Sequence, residues 1–140
     1  MYKGSGNVDK WRLSAGVCIN EKNEILMVLQ GRPEEEKKWA VPAGVLKQGE
    51  TFEEACKREF YEETGYKIDI KEKFHIKEND IAIIQYFLVD IIGGEMTIQD
   101  PEQLIYDIKW RNVEEMDEEE FGFPEDKQLL LKILKQQVTQ

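Results

Sequence analysis

The sequence predicts an α+β sandwich. Three observations carry that class. β-branched and aromatic runs lie on both sides of one strongly capped helix, a second amphipathic helix closes the chain, and no repeat or low-complexity linker interrupts the series. In order, residues 13–20 and 25–31 read as two strands around the turn Glu21-Lys22-Asn23, and residues 32–38 as a charged, mobile loop. Thr51 is a good N-cap, Glu54 completes a capping box, and Gly65 supplies the left-handed residue that stops a helix. Residues 66–70 then alternate Ile68 and Ile70 against Lys67 and Asp69, the period of a strand. Residues 81–92 form a long β-branched and aromatic run, read as a buried strand, and Gly93-Gly94 is expected to turn it as a hairpin into residues 95–98. Residues 105–113 make another strand. In residues 125–138, Leu129, Leu130, Ile133, Leu134 and Val138 recur at helical spacing.

The central helix carries charge on the face that should be apolar. At about 100° per residue, Phe52, Ala55 and Cys56 fall on one stripe. Glu59 and Glu63 fall on the same stripe, with Glu62 at its margin. These carboxylates crowd at i, i+3 and i+4, where like charges repel, and they sit towards the helix C-terminus, where the macrodipole disfavours anions. Local rules broken together mark functional sites, and the natural compensator is a hard divalent cation held by oxygen ligands.

Gly44, five residues, Glu50, seven residues, then Arg58-Glu59-Phe60-Tyr61-Glu62-Glu63-Thr64-Gly65-Tyr66 fills every fixed position of a 23-residue pattern. This stretch resembles the signature box of the Nudix (MutT-like) hydrolases, and the lead-in Trp39-Ala40-Val41-Pro42-Ala43-Gly44 resembles the family's approach to it. The resemblance implies a Nudix-type α/β/α sandwich around a mixed β-sheet, with residues 1–140 as one such domain. It implies a divalent-metal-dependent pyrophosphohydrolase that cleaves a diphosphate linkage in a nucleoside di- or triphosphate derivative by water attack on phosphorus. Mg²⁺ is the expected ion, with Mn²⁺ as the substitute. Carried over position by position, Glu59 and Glu63 become the principal ligands, Glu62 a ligand or a support behind them, and Ala43 a ligand through its backbone carbonyl. Glu50 and Arg58 become a bracing pair, and Gly44 and Gly65 frame the motif. The general base is either a box glutamate or a loop carboxylate, Glu102 before Asp100. Arg32 is expected to contact phosphate, and Trp39 to stack on a base or ribose or else to pack the loop.

Composition sets limits. A chain of 140 residues is most simply one domain with room for a proper core. A formal charge of -10 argues against bulk nucleic-acid or anionic-membrane binding, although bound cations locally reverse that sign for a small phosphate substrate. No apolar run is long enough to span a bilayer, and the start lacks a signal-peptide core, so a cytoplasmic protein is expected. Cys18 and Cys56 read as buried reduced thiols. The family is often dimeric, which leaves a homodimer open.

Other residues have plainer readings. His75 reads as structural or exposed, the acidic run Glu114–Glu120 as a solvated helical cap, and Phe121 and Phe123 as packing of the closing segment. Tyr86 faces either core or pocket. Pro42-Ala43-Gly44 resembles the ADP-ribose pyrophosphatases, but their downstream proline is missing, with none between Pro42 and Pro101. Val45 and Lys47 depart from the Lys and Glu of many nucleotide-sanitising members. The reading therefore stops at a nucleoside diphosphate linked to a variable group. Its alternative is a nucleotide-sensing or protein-interaction module without turnover, against which the complete glutamate set argues.

Overall fold

Alternation along three strands builds the sandwich. In the computed structural model, which describes residues 9–98 and 103–138, these strands are β1 (Trp11–Val17), β2 (Ile25–Gln30) and β6 (Ala82–Gly94). Ala15 and Val17, Ile25 and Met27, and Tyr86 and Leu88 point to one side. Leu26 and Val28, and Phe87 and Val89, point to the other. Helix α2 (Asp126–Val138) covers the first side with Leu130, Ile133 and Leu134. Helix α1 (Phe52–Thr64) covers the second with Cys56 and Phe60. Each of these large side chains contributes roughly 1.5–3 kcal/mol by leaving water. The result is the expected sandwich with a helix on each face.

Two sheets lie between the helices. Strands β4 (Ala43–Val45), β1, β6 and β5 (Tyr66–Glu78) form a mixed sheet in that order, with β1 and β6 parallel and the other pairs antiparallel. Strands β3 (Lys38–Ala40), β2 and β7 (Ile105–Arg111) form an antiparallel sheet. The first two predicted strands exist, but they lie in different sheets and meet only at the bridge Ile19–Ile25. The turn between them is held by Asn20, whose side-chain oxygen accepts from the amides of Lys22 (3.0 Å) and Glu24 (2.9 Å).

Several expectations need correction. Gly93-Gly94 is not a hairpin turn: both glycines continue β6 and pair with Lys67 and Tyr66. Residues 95–98 form no strand; Thr97 instead donates its amide to the Thr64 carbonyl at 2.7 Å. Strand β5 runs to Glu78, eight residues past the predicted end at Ile70. Its partner β6 is buried only in its centre, at Tyr86, Phe87, Leu88 and Val89, rather than throughout. The expected strand over 105–113 stops at Arg111, and Val113 opens a 3₁₀ turn. The acidic run forms two such turns, Val113–Glu115 and Glu118–Glu120. Cys18 and Cys56 are free and buried, and burial pushes their thiols up to about 11 and about 12. Among the described residues no helix is long and apolar enough to cross a membrane.

Candidate active site

Helix α1 begins and ends as its residues dictate. Thr51 accepts the Glu54 amide at 3.0 Å, and the Glu54 carboxylate accepts the Thr51 amide at 2.9 Å. At the other end Gly65, at φ 82°, donates to the Tyr61 carbonyl. The register set by these caps turns Ala55, Cys56, Phe60 and Glu63 inward. Glu63 is only 6% exposed, and Glu59 and Glu62 are half-buried beside it. Three carboxylates thus lie on the last two turns of a helix with no basic residue in its final turn.

Strand β4 supplies the facing wall. Gly44 pairs with Ser14 of β1 and turns towards α1. A Cβ there would stand 2.5 Å from each carboxylate oxygen of Glu59, so only glycine leaves room for that carboxylate. Ala43, one residue earlier, points to the opposite side and packs on the α2-side core. The short strand therefore separates a carboxylate cradle from an apolar surface.

Arg58 ties the cradle together. Its Nε and Nη2 donate to the two oxygens of Glu50 at 2.7 and 2.9 Å, a bidentate fork, and Nη2 also donates to the Val45 carbonyl at 3.0 Å. Nη1 reaches Glu59 at 2.5 Å and Glu62 at 3.1 Å. The hydrogen bond from Arg58 holds the Glu50 carboxyl below its ordinary range, and that bond in turn raises the guanidinium. Burial pushes Glu59 the other way, above its ordinary range, against the lowering effect of a hydrogen bond to Glu63 and of Arg58. Among the described residues no three acidic, histidine or cysteine side chains surround one point, and Glu59 is held by Arg58.

This donor set suits a hard divalent ion. Every donor is an oxygen, the Glu59 carboxylate fills the room that glycine leaves at position 44, and the neighbouring Glu62 adds charge that a cation would neutralise. Of the residues singled out in the sequence, Gly44, Glu50, Arg58, Glu59, Glu62 and Glu63 come together here. Arg32 stands apart on the turn after β2, exposed, with its guanidinium 3.8 Å from Glu35. Trp39 is half-buried in β3, with the Arg111 guanidinium 4.7 Å from its ring centre and its carbonyl accepting the Gly122 amide at 2.9 Å. Glu102 and Asp100 lie outside the described residues.

The sequence did not reveal the surface on the far side of β4. Across the mixed sheet, Val45, Leu13, Ile84 and Lys77 stand in one row, and Ala43, Ala15, Tyr86 and His75 in the next. The first row is half-exposed, whereas α2 covers much of the second. Tyr86 ends this surface inside a polar network. Its hydroxyl donates to Asp126 at 2.9 Å, and Lys77 donates to Asp126 at 3.0 Å and to Glu125 at 2.9 Å. Burial raises Asp126, and the Lys77 ammonium opposes that rise. The one legible signal is an aspartate, the sole acidic residue of the amphipathic helix α2, at its first position.

Comparison with known proteins identifies the family and the fold. The family model described as NUDIX domain matches residues 10–133. The murine 8-oxo-dGDP phosphatase NUDT18 is 33% identical over 91 residues, covering 59% of this chain and 28% of that protein. The NAD-capped RNA hydrolase NudC of Haemophilus influenzae is 41% identical over 70 residues, covering 49% and 26%. The chain spans about a quarter to two fifths of the length of the curated relatives it matches. A crystal structure of an ADP-ribose pyrophosphatase from Streptococcus suis shares the fold, at a TM-score of 0.73 and 16% identity over 91% of each chain.

Proposed function

The chain belongs to the Nudix domain family, and from that premise we propose that it is a divalent-metal-dependent pyrophosphohydrolase of nucleoside diphosphate derivatives. The observation that carries this reading is the cradle at Gly44, filled by the Glu59 carboxylate, with Glu62 and the buried Glu63 beside it on the same helix. Glu59 and Glu63 would hold the ion, Glu62 would ligate or support it, and the Ala43 carbonyl would complete the protein's share. A Mg²⁺ or Mn²⁺ ion held there would supply charge neutralisation for phosphate and acidify a bound water. Arg58 and Glu50 fix β4, which carries Gly44, and the loop after it against the helix, so their role is orientation. A box glutamate or the loop carboxylate Glu102 would take the proton from the attacking water. Arg32 would meet a phosphate oxygen.

The half-exposed row Val45, Leu13 and Ile84 is an apolar floor on the opposite face of β4 from the cradle, suited to a nucleoside. Trp39 borders the same core and would wall the floor. The named relatives act on an oxidised nucleoside diphosphate and on a nucleotide-capped RNA, and a nucleoside joined to a diphosphate is common to both. The departures at Val45 and Lys47 keep the class broad.

The test is release of phosphate-containing product from a panel that includes ADP-ribose, oxidised and ordinary nucleoside di- and triphosphates, dinucleoside polyphosphates and capped RNA. Mg²⁺ and Mn²⁺ are compared, with Glu63→Gln alongside. Turnover of one class, lost in the variant, is expected. Nucleotide binding without turnover of any of them would replace this reading with a sensing module.

A further inference from the structure

We propose that Lys37 is a positioning residue for Arg32, an inference that rests on the phosphate role given to Arg32 above. The ammonium of Lys37 donates to three carbonyls of one turn: Arg32 at 2.7 Å, Pro33 at 3.3 Å and Glu35 at 2.6 Å. An ammonium has three hydrogens, so all of its donors are committed to this turn. Tyr106 on β7 lies below, its ring centre 4.8 Å from the same nitrogen. The loop is thereby tied to the second sheet.

Arg32 is pinned at both ends of its peptide. Its carbonyl also accepts the Glu35 amide at 3.0 Å, and its own amide donates to the Glu35 carboxylate at 3.2 Å. The side chain beyond that fixed backbone is 75% exposed, with Glu35 3.8 Å from it. A rigid base carrying an exposed guanidinium is the arrangement that lets a long side chain reach a diphosphate at low entropic cost. The turn leads directly into β3 and then β4, the strand that carries Gly44. Without the ammonium, three carbonyls would face one another with only water between them, and the origin of Arg32 would spread over many positions.

The experiment is a double-mutant cycle on the hydrolysis of the panel's best substrate. Lys37→Met is expected to raise KM about tenfold, the equivalent of one lost charge-assisted contact, with kcat within about twofold. Lys37→Arg should restore most of the loss. In the Arg32→Ala background, Lys37→Met should add less than about twofold, because the residue through which it acts is gone. Full additivity of the two effects, an unchanged KM in Lys37→Met, or an unchanged KM in Arg32→Ala would each overturn the inference. A wild type inert on every diphosphate would instead mark the failure of the hydrolase reading. The same order of variants would then be read from the Kd of inorganic pyrophosphate with Mn²⁺ present, and equal Kd values across them would reject the role of Lys37.

Discussion

Gly44 and Glu59 occupy the same space from opposite sides: a Cβ on the glycine would sit 2.5 Å from each oxygen of the carboxylate. The blocked group is the end of a flexible side chain, so it can swing away while the backbone stays. Gly44→Ala should therefore cost under about 1 kcal/mol of stability, in the range of ordinary surface changes. It should nevertheless lower metal-dependent turnover roughly 10- to 100-fold, as when a metal ligand loses its support. Urea denaturation and steady-state kinetics on one preparation test both halves. A variant with full activity would remove Glu59 from the site.

The crowding of Glu59 and Glu63, one turn apart on α1 with Glu63 buried, predicts how the protein responds to ions. A cation at 100 times its Kd stabilises the fold by about 2.7 kcal/mol, which for a chain of this size raises Tm by roughly 5–15 °C. In Glu63→Gln the shift should shrink to a small remainder. The same variant without metal should be at least as stable as the wild type, because one of two crowded acids has become a neutral amide. Differential scanning fluorimetry with Mg²⁺, Mn²⁺ and a chelator reads all three. Equal ion-induced shifts in both proteins would place the ion elsewhere.

The sequence and the structure agree best where a rule is local. The caps at Thr51 and Gly65 depend on neighbours a few residues away, and so does the stripe that turns Glu63 inward. Both were legible before any coordinates. The partners of a strand are not local. Nothing in residues 11–31 says that β1 pairs in parallel with β6, some seventy residues on, rather than with β2 across a short turn. The three-residue strands β3 and β4 are too short to show alternation, yet β4 places Gly44. Gly93-Gly94 misled for a physical reason: the flexibility that suits glycine to a turn also lets Gly94 approach the Gly65 backbone closely, which is its use here. Strand β5 outruns its predicted end at Ile70 because an edge strand blunted with Lys, Glu and register shifts lacks the regular alternation that marks one.

The network around Asp126 predicts the alkaline limit of stability. Burial, together with the Asp126 charge, raises the Tyr86 hydroxyl above its ordinary 10.0. Lys77, drawn down by burial, is raised overall by its bonds to Glu125 and Tyr86, above its ordinary 10.5. A raised pKa in the folded state means that the folded chain keeps its proton when the unfolded chain has lost it. Both groups therefore contribute stability that is complete below about pH 10 and is lost as pH climbs towards their folded values. Urea midpoints should be level from pH 7 to 9 and fall from pH 10 upward. Tyr86→Phe should lose about 1–3 kcal/mol at pH 7, since Asp126 loses a donor while buried, and its alkaline fall should be shallower. An equally steep fall in that variant would assign the alkaline limit to other groups.

Three left-handed glycines separate conformational strain from collision. Gly49, Gly65 and Gly94 have φ of 86°, 82° and 81°, so alanine at any of them carries the left-handed penalty of roughly 1–2 kcal/mol. Their surroundings differ. Nothing lies within 4 Å of a Cβ at Gly49. A Cβ at Gly65 would meet the backbone of Glu95 and Thr97, and one at Gly94 would meet the carbonyl of Gly65 and the amide of Lys67. Backbone atoms cannot swing aside as the Glu59 carboxylate can. Gly49→Ala should thus cost only the roughly 1–2 kcal/mol of strain, while Gly65→Ala and Gly94→Ala should each exceed about 3 kcal/mol, among the exceptional single-site losses. Gly65 also caps the helix bearing Glu59, Glu62 and Glu63, so its variant should lose ion-induced stabilisation along with fold stability. Denaturation midpoints that fall equally in all three would mean that the close approach of the two backbones contributes nothing beyond the dihedral angle.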